Sequence, residues 1–151
     1  MTGKSQGTKM STLQTIIDDF EYLEDWEDRY RYLIEIGKAL PEMPASEQID
    51  QNKVKGCASQ VWLVAETAPG DPGNPVMVFR GDSDAHIVRG LVAIVLAATS
   101  GQKASAVEAL DETALMTRLG LGEHLSTQRA NGLRSMVLRI KAHAAAARTD
   151  G

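Results

Sequence analysis

The sequence predicts an α+β fold, a small antiparallel β-sheet packed against helices. Three observations carry that expectation. Apolar residues recur at helical spacing from Leu13 to Leu40 and again after Asp84. Two strand-forming runs, Val61-Trp62-Leu63-Val64 and Val76-Met77-Val78-Phe79, stand together in mid-chain rather than alternating with helices. Between them, Ala68 to Pro75 holds the Pro, Gly, Asp and Asn residues of a returning connection.

Bulk properties narrow the possibilities. The 151 residues suffice for one domain with a real core, and 43% hydrophobic with 24% charged residues is ordinary globular composition. A net charge of −4 gives no general drive toward nucleic acid or an anionic membrane. One cysteine excludes an intramolecular disulfide and a multi-cysteine zinc or iron–sulfur site built by one chain, and it suits the reducing cytoplasm. Met1 to Met10 lack an apolar signal core and read as a flexible tail, leaving residues 11–148 as a single domain. The longest apolar stretch, Ile87 to Ala98, carries Arg89 and is too short to span a bilayer.

Taken in order, Ser11 and Gln14 have capping-box spacing and open a helix to about Glu24, with Leu13, Ile16, Ile17, Phe20 and Leu23 on one face. A second helix runs from about Asp25 to Leu40, burying Tyr30, Leu33, Ile34 and Gly37, and Pro41 ends it. Glu42 to Asn52 reads as a loop. After the two strands and their irregular connection, Gly81-Asp82-Ser83-Asp84 leaves the sheet and caps a helix from Ala85 to about Thr99, with Asp84 in its first turn. That helix is apolar nearly all round, so it should be the central buried element, closed by Gly101. Ser105 and Glu108 repeat the capping-box pattern, and short helices break at Gly120 and Gly122. Ser126 caps the last helix, which presents Leu133, Met136, Val137 and Ile140 on one face.

The chemistry centres on Asn52 to Trp62, which holds Cys57 directly after Gly56. Lys53-Val54-Lys55 alternates as an edge strand does, so the thiol should sit on a glycine-permitted turn between two extended segments. A lone cysteine is commonly an inert buried hydrophobe. Gly56, Ser59 and the two lysines, placed to lower a thiolate pKa, set a reactive thiol beside that reading, and residue chemistry alone leaves both open. The histidines His86, His124 and His143 stand far apart in no known signature, and each reads as a surface or helix-end residue rather than a catalytic base. His86 with Asp82 and Asp84 is explained by capping better than by a metal. The Gly70 to Pro75 stretch lacks the phosphate-loop pattern. The run Glu21, Glu24, Asp25, Glu27 and Asp28 reads as a solvated face, while Trp26 and Trp62 read as packing residues. Arg129 sits in the first turn of the last helix, unfavourably against the dipole, which marks it for a site or partner contact.

Val54-Lys55-Gly56-Cys57-Ala58-Ser59-Gln60-Val61-Trp62 resembles the signature of the SufE family, sulfur acceptors for cysteine desulfurases. Three more segments in the right order extend the likeness: Trp26-Glu27 with Tyr30, Leu33, Ile34, Gly37 and Leu40-Pro41; Gly81 to Ala85 with Ile87-Val88 and Gly90-Leu91; and Leu119-Gly120-Leu121 through His124-Leu125-Ser126 to Arg129 and Asn131-Gly132-Leu133. The resemblance covers about Leu13 to Ala147 and is shared by the family's SufE and CsdE branches. It implies an IscU-like α+β fold and a persulfide carried on Cys57. The sulfur would come from a SufS- or CsdA-like desulfurase, to which the pyridoxal phosphate belongs, so this chain would need no cofactor or metal of its own. The recipient would be an iron–sulfur scaffold such as a SufBCD-like complex, and the family admits a homodimer. By position, Asp84 and Arg129 would serve the desulfurase encounter or the surroundings of the thiol, with Gly56 and Ser59 supporting the turn. Val61, Trp62 and the central helix are expected to form an apolar pocket for the resting sulfur. Two other classes stand beside this reading: an IscU-like iron–sulfur scaffold, disfavoured by the single cysteine, and a non-catalytic desulfurase adaptor in which Cys57 is dispensable.

Overall fold

A computed structural model describes residues 12–150. The expected Met1 to Met10 tail and the Ser11 cap therefore lie outside the described residues. Thr12 caps the first helix, α1 (Leu13–Tyr22), its hydroxyl accepting from the Thr15 amide at 3.1 Å. Ile16, Ile17 and Phe20 form its buried face. Asp25 then caps α2 (Trp26–Lys38) by accepting from the Glu27 amide. This helix buries Leu33, Ile36 and Gly37, while Tyr30 and Ile34 are only half-buried. Tyr30 instead donates its hydroxyl to the His124 carbonyl, and His124 stacks on Trp26 with ring centres 3.9 Å apart.

The sheet is a long hairpin with a short third strand. Strand β1 (Val61–Asp71) pairs antiparallel with β2 (Asn74–Ser83), from Val61↔Ser83 to Asp71↔Asn74, around a two-residue Pro72-Gly73 turn. The irregular connection expected over Ala68 to Pro75 is thus mostly strand, with a register shift between Ala68 and Asp71. Pro69 lies within that shift, where a residue without an N–H costs no ladder bond. Strand β3 (Gln102–Lys103) adds to the other edge of β2, opposite Met77 and Val76, an element too short to leave a periodic signal.

Helix α3 (His86–Thr99) is the central element, as its all-round hydrophobicity predicts, with Leu91, Val92, Ile94, Val95 and Leu96 buried. It packs against β2 on one side and against α2 and the last helix elsewhere. Its crossing with α2 is close: a Cβ on Gly90 would lie 2.3 Å from the Leu33 carbonyl oxygen, so the position demands glycine. The N-terminus of α3 differs from expectation. Pairing of β1 with β2 extends through Ser83, and the N-cap is Ala85, which makes no side-chain cap. Asp82 is buried instead, accepting from the Met43 and Ser83 amides and lying 3.1 Å from Arg89 Nε as an ion pair. Arg89 also donates to the Leu40 carbonyl, so this pair fixes the loop after α2 against α3.

After β3 come α4 (Ala104–Glu108), α5 (Glu112–Leu119) and α6 (Thr127–Asp150). The capping box expected of Ser105 does not form. Asn74, from the hairpin, accepts from the Ser105 amide at 2.9 Å and donates to its hydroxyl, supplying the cap from a distant strand. Asp111 caps α5, and Gly120 ends it in the left-handed region at φ 69°. Ser126 caps α6 as expected, accepting from the Arg129 amide, and Leu133, Met136, Val137 and Ile140 are its buried stripe. One hydrophobic cluster joins α1, α2, β1, β2, α3 and α6.

Candidate functional site

Cys57 lies in a loop that leaves and rejoins the fold within a few residues. A single bridge, Lys53↔Trp62, and the Val54 amide donating to the Val61 carbonyl at 2.8 Å close its base. The expected edge strand is reduced to that bridge. The tip turns at Gly56, whose φ of 91° is a conformation that residues with a Cβ resist. A Cβ there would also come within 2.6 Å of Ser135 Oγ on α6. Gly56 is therefore required twice, by the turn and by the helix beneath it.

This turn aims the thiol inward. Cys57 is half-buried, and its Sγ points at the Gly132 carbonyl oxygen of α6, 3.6 Å away. Around it lies a cavity of about 300 Å³. Val88 and Leu91 of α3 with Met136 of α6 form its apolar wall, while Ser59, Ser126, Gln128 and Arg129 form its polar rim. The expected pocket exists, but Val61 and Trp62 do not line it. Both are buried elsewhere, at the start of β1, and α6 takes their place. The glycine at 132 opens this space: a Cβ there would sit 3.5 Å from Sγ.

Burial pushes the Cys57 thiol above its ordinary pKa through desolvation of the thiolate. The expectation that Lys53 and Lys55 lower it is corrected. Lys55 is exposed at the loop surface while the sulfur faces the protein, so the low-dielectric wall dominates. At rest the group is a shielded thiol, a poor nucleophile until it meets water or a partner.

The other sequence candidates divide. Ser59 and Arg129 line the cavity with Cys57, Arg129 at its exposed rim. Asp84 does not reach it. Its carboxylate accepts from the Gln60 amide at 3.1 Å and the Gln60 side-chain amide at 3.3 Å, and Ser83 donates its hydroxyl to the Gln60 carbonyl at 2.7 Å. Asp84 thus pins the outgoing end of the cysteine loop rather than the helix it was expected to serve. None of the three histidines lines the cavity, and among the described residues no group of three or more His, Cys, Asp and Glu side chains is arranged to hold a metal.

Sequence reasoning marked Arg129 on α6 but missed what Gly132, Ser135 and Arg139 of the same helix contribute. Gly132, Ser135 and Arg139 recur at helical spacing along the face under the loop, and Arg139 donates to the carbonyls of Lys53 and Gln51 at 2.8 and 2.6 Å. Two signals were present. A glycine stood inside a helical pattern, where it costs about 1 kcal/mol relative to alanine, and an arginine stood beside the apolar stripe at Met136 and Ile140.

Comparison with known proteins finds relatives of this chain across most of its length. The family model described as SufE, Fe-S metabolism associated domain, matches residues 14–144. An uncharacterized SufE-like protein of Rhizobium etli is 61% identical over 141 residues, covering 93% of this chain and 95% of that protein. The sulfur acceptor protein CsdE of Escherichia coli (strain K12) is 39% identical over 125 residues, covering 83% of this chain and 82% of its own length. In fold, the chain is similar to the solution structure of a hypothetical protein from Thermus thermophilus. The TM-score is 0.72 at 21% identity, with 91% of this chain and 96% of that one covered.

Proposed function

The chain belongs to the SufE family, and on that premise we propose that it is a sulfur acceptor whose cargo is a persulfide on Cys57. The observation that carries this reading is the lone thiol turned into a partly apolar cavity between α3 and α6. A relative 39% identical is named a sulfur acceptor, which supports the same reading.

The chemistry balances without an added redox agent. The Cys57 thiolate attacks the outer sulfur of a donor cysteine persulfide, the donor's S–S bond breaks, and the donor thiolate leaves and takes up the proton that Cys57 gave. The donor in this reading is a cysteine desulfurase, which this protein stimulates by clearing its persulfide. The pyridoxal phosphate stays with the desulfurase. The recipient is an iron–sulfur assembly scaffold, whose thiolate takes the outer sulfur from Cys57 by the same exchange, in the reducing cytoplasm.

Each feature of the site has a use in that cycle. A single cysteine cannot resolve its own persulfide into an intramolecular disulfide. The apolar wall of Val88, Leu91 and Met136 keeps reductant away from the resting sulfur, and the cavity has room for the second sulfur atom. Ser59 and Arg129 supply donors at the rim that favour the persulfide anion over its protonated form.

Intact-mass spectrometry tests the proposal after incubation with a cysteine desulfurase, pyridoxal phosphate and free cysteine. A gain of one or more sulfur atoms, reversed by reductant and missing from Cys57→Ser, is the expected result. Desulfurase stimulation that survives Cys57→Ser would instead support the adaptor reading, with the thiol dispensable.

A further inference from the structure

The cysteine loop is held almost entirely by its ends. Among the described residues, the backbone of residues 55–59 makes no hydrogen bond to another element, only the local turn at Lys55-Gly56, and the contact of Cys57 with Gly132 is the tie from inside the segment to α6. The outgoing end is pinned at Gln60 by Asp84 and Ser83. The incoming end is pinned from α6. There the Arg139 guanidinium donates through Nη1 to the Lys53 carbonyl and through Nη2 to the Gln51 carbonyl, while Nε faces His143 Nε2 at 3.3 Å. The two carbonyls flank the end of a 3-10 turn, Asp50–Asn52, where acceptors lack helical partners. A planar guanidinium can bridge both at once, and charge-assisted bonds of this kind are the stronger ones.

The two partners of that contact differ in rigidity. Helix α6 is anchored in the core through Leu133, Met136, Val137 and Ile140, all buried. The loop has no such anchor after Val54. Resting on the sulfur-acceptor reading above, we propose that Arg139 is a positioning residue that latches the Cys57 loop against α6, and that Cys57 reaches a partner when this latch releases. Gly132, Ser135 and Arg139 share one face, so lifting the loop from Arg139 also separates Gly56 from Ser135 and Cys57 from the Gly132 carbonyl. The thiol then leaves its cavity with the whole loop instead of by side-chain rotation alone.

Iodoacetamide alkylation of Cys57, followed by intact mass, tests the latch together with amide hydrogen exchange, in the full chain and without a desulfurase. Arg139→Gln should alkylate roughly tenfold faster or more, the loss expected of a charge-assisted bond. Exchange should quicken over residues 50–60 while α3 and the sheet keep their protection, and the alkylation profile should move to lower pH as the thiol regains water. Arg139→Lys keeps the charge and the apolar stem and should fall between the two, which also preserves the test should Arg139→Gln fail to fold. An unchanged rate in a folded variant, or faster exchange spread through α3 and the sheet, overturns the latch. Neither readout needs sulfur transfer. A latch that fails here leaves the acceptor reading standing, and an unmodified protein that takes no sulfur leaves the latch standing.

Discussion

The sulfur of Cys57 lies 3.6 Å from the carbonyl oxygen of Gly132, and the side chain that Gly132 lacks is part of the space into which the thiol points. One residue of α6 thus contributes an acceptor for the S–H and room beside it. This pairing makes stability and function separable at a single position.

Gly132→Ala separates them. A methyl group at ordinary contact distance from Sγ fits without strain, and alanine is favoured over glycine inside a helix by about 1 kcal/mol. Urea unfolding should show stability unchanged or raised. Persulfide loading followed by mass spectrometry should slow several-fold, because the cavity beside the sulfur has shrunk. Loading at the normal rate would show that the second sulfur rests elsewhere.

The thiol also predicts a pH dependence. Burial raises its pKa above the ordinary 9.0, so above that value the folded protein retains a proton that the unfolded chain has lost. Stability from this group is complete below pH 9.0 and declines as pH rises through the folded pKa. Unfolding free energies measured at about pH 8 and about pH 10 should differ less for Cys57→Ser than for the unmodified chain. Alkylation of the native protein should have its midpoint above 9.0.

At the acid side His143 has the opposite sign. Burial first, and Arg139 second, lower its pKa from 6.5, so the fold disfavours the imidazolium. The unfolded chain gains a proton below pH 6.5 before the folded one does, and stability falls as pH drops from 6.5 toward the folded value. His143→Gln should flatten that part of the stability curve, as thermal melts between about pH 7.5 and about pH 5 would show.

Asp84→Ala tests the outgoing end of the loop. The carboxylate is exposed, so the loss of its two bonds to Gln60 should cost only about 1 kcal/mol in a thermal melt. Amide exchange at Gln60 and its neighbours should quicken, with a modest rise in the alkylation rate of Cys57. A large loss of stability would mean that Asp84 supports the core instead of the loop.

Much of this was legible because it is local. The Gly56-Cys57 turn, the Ser126 cap, the all-round apolar α3 and the buried stripe of α6 each follow from residues close in sequence, where backbone sterics and helical periodicity act. The signature around Cys57 pointed to the same loop that the structure turns into a cavity. What the sequence could not determine is where side chains meet across elements. Asp84 reads as a helix residue until β1 and β2 are seen to pair through Ser83, which leaves its carboxylate facing Gln60. Asn74 caps α4 from across the hairpin, although Ser105 had the local pattern for it. The direction of the Cys57 pKa shift was likewise decided by tertiary packing, since neighbouring lysines in sequence count for less than the wall of α3 and α6 around the sulfur. Arg139 stands far along the chain from the loop it holds, and only the packing of α6 beneath that loop brings its guanidinium to the carbonyls of Gln51 and Lys53.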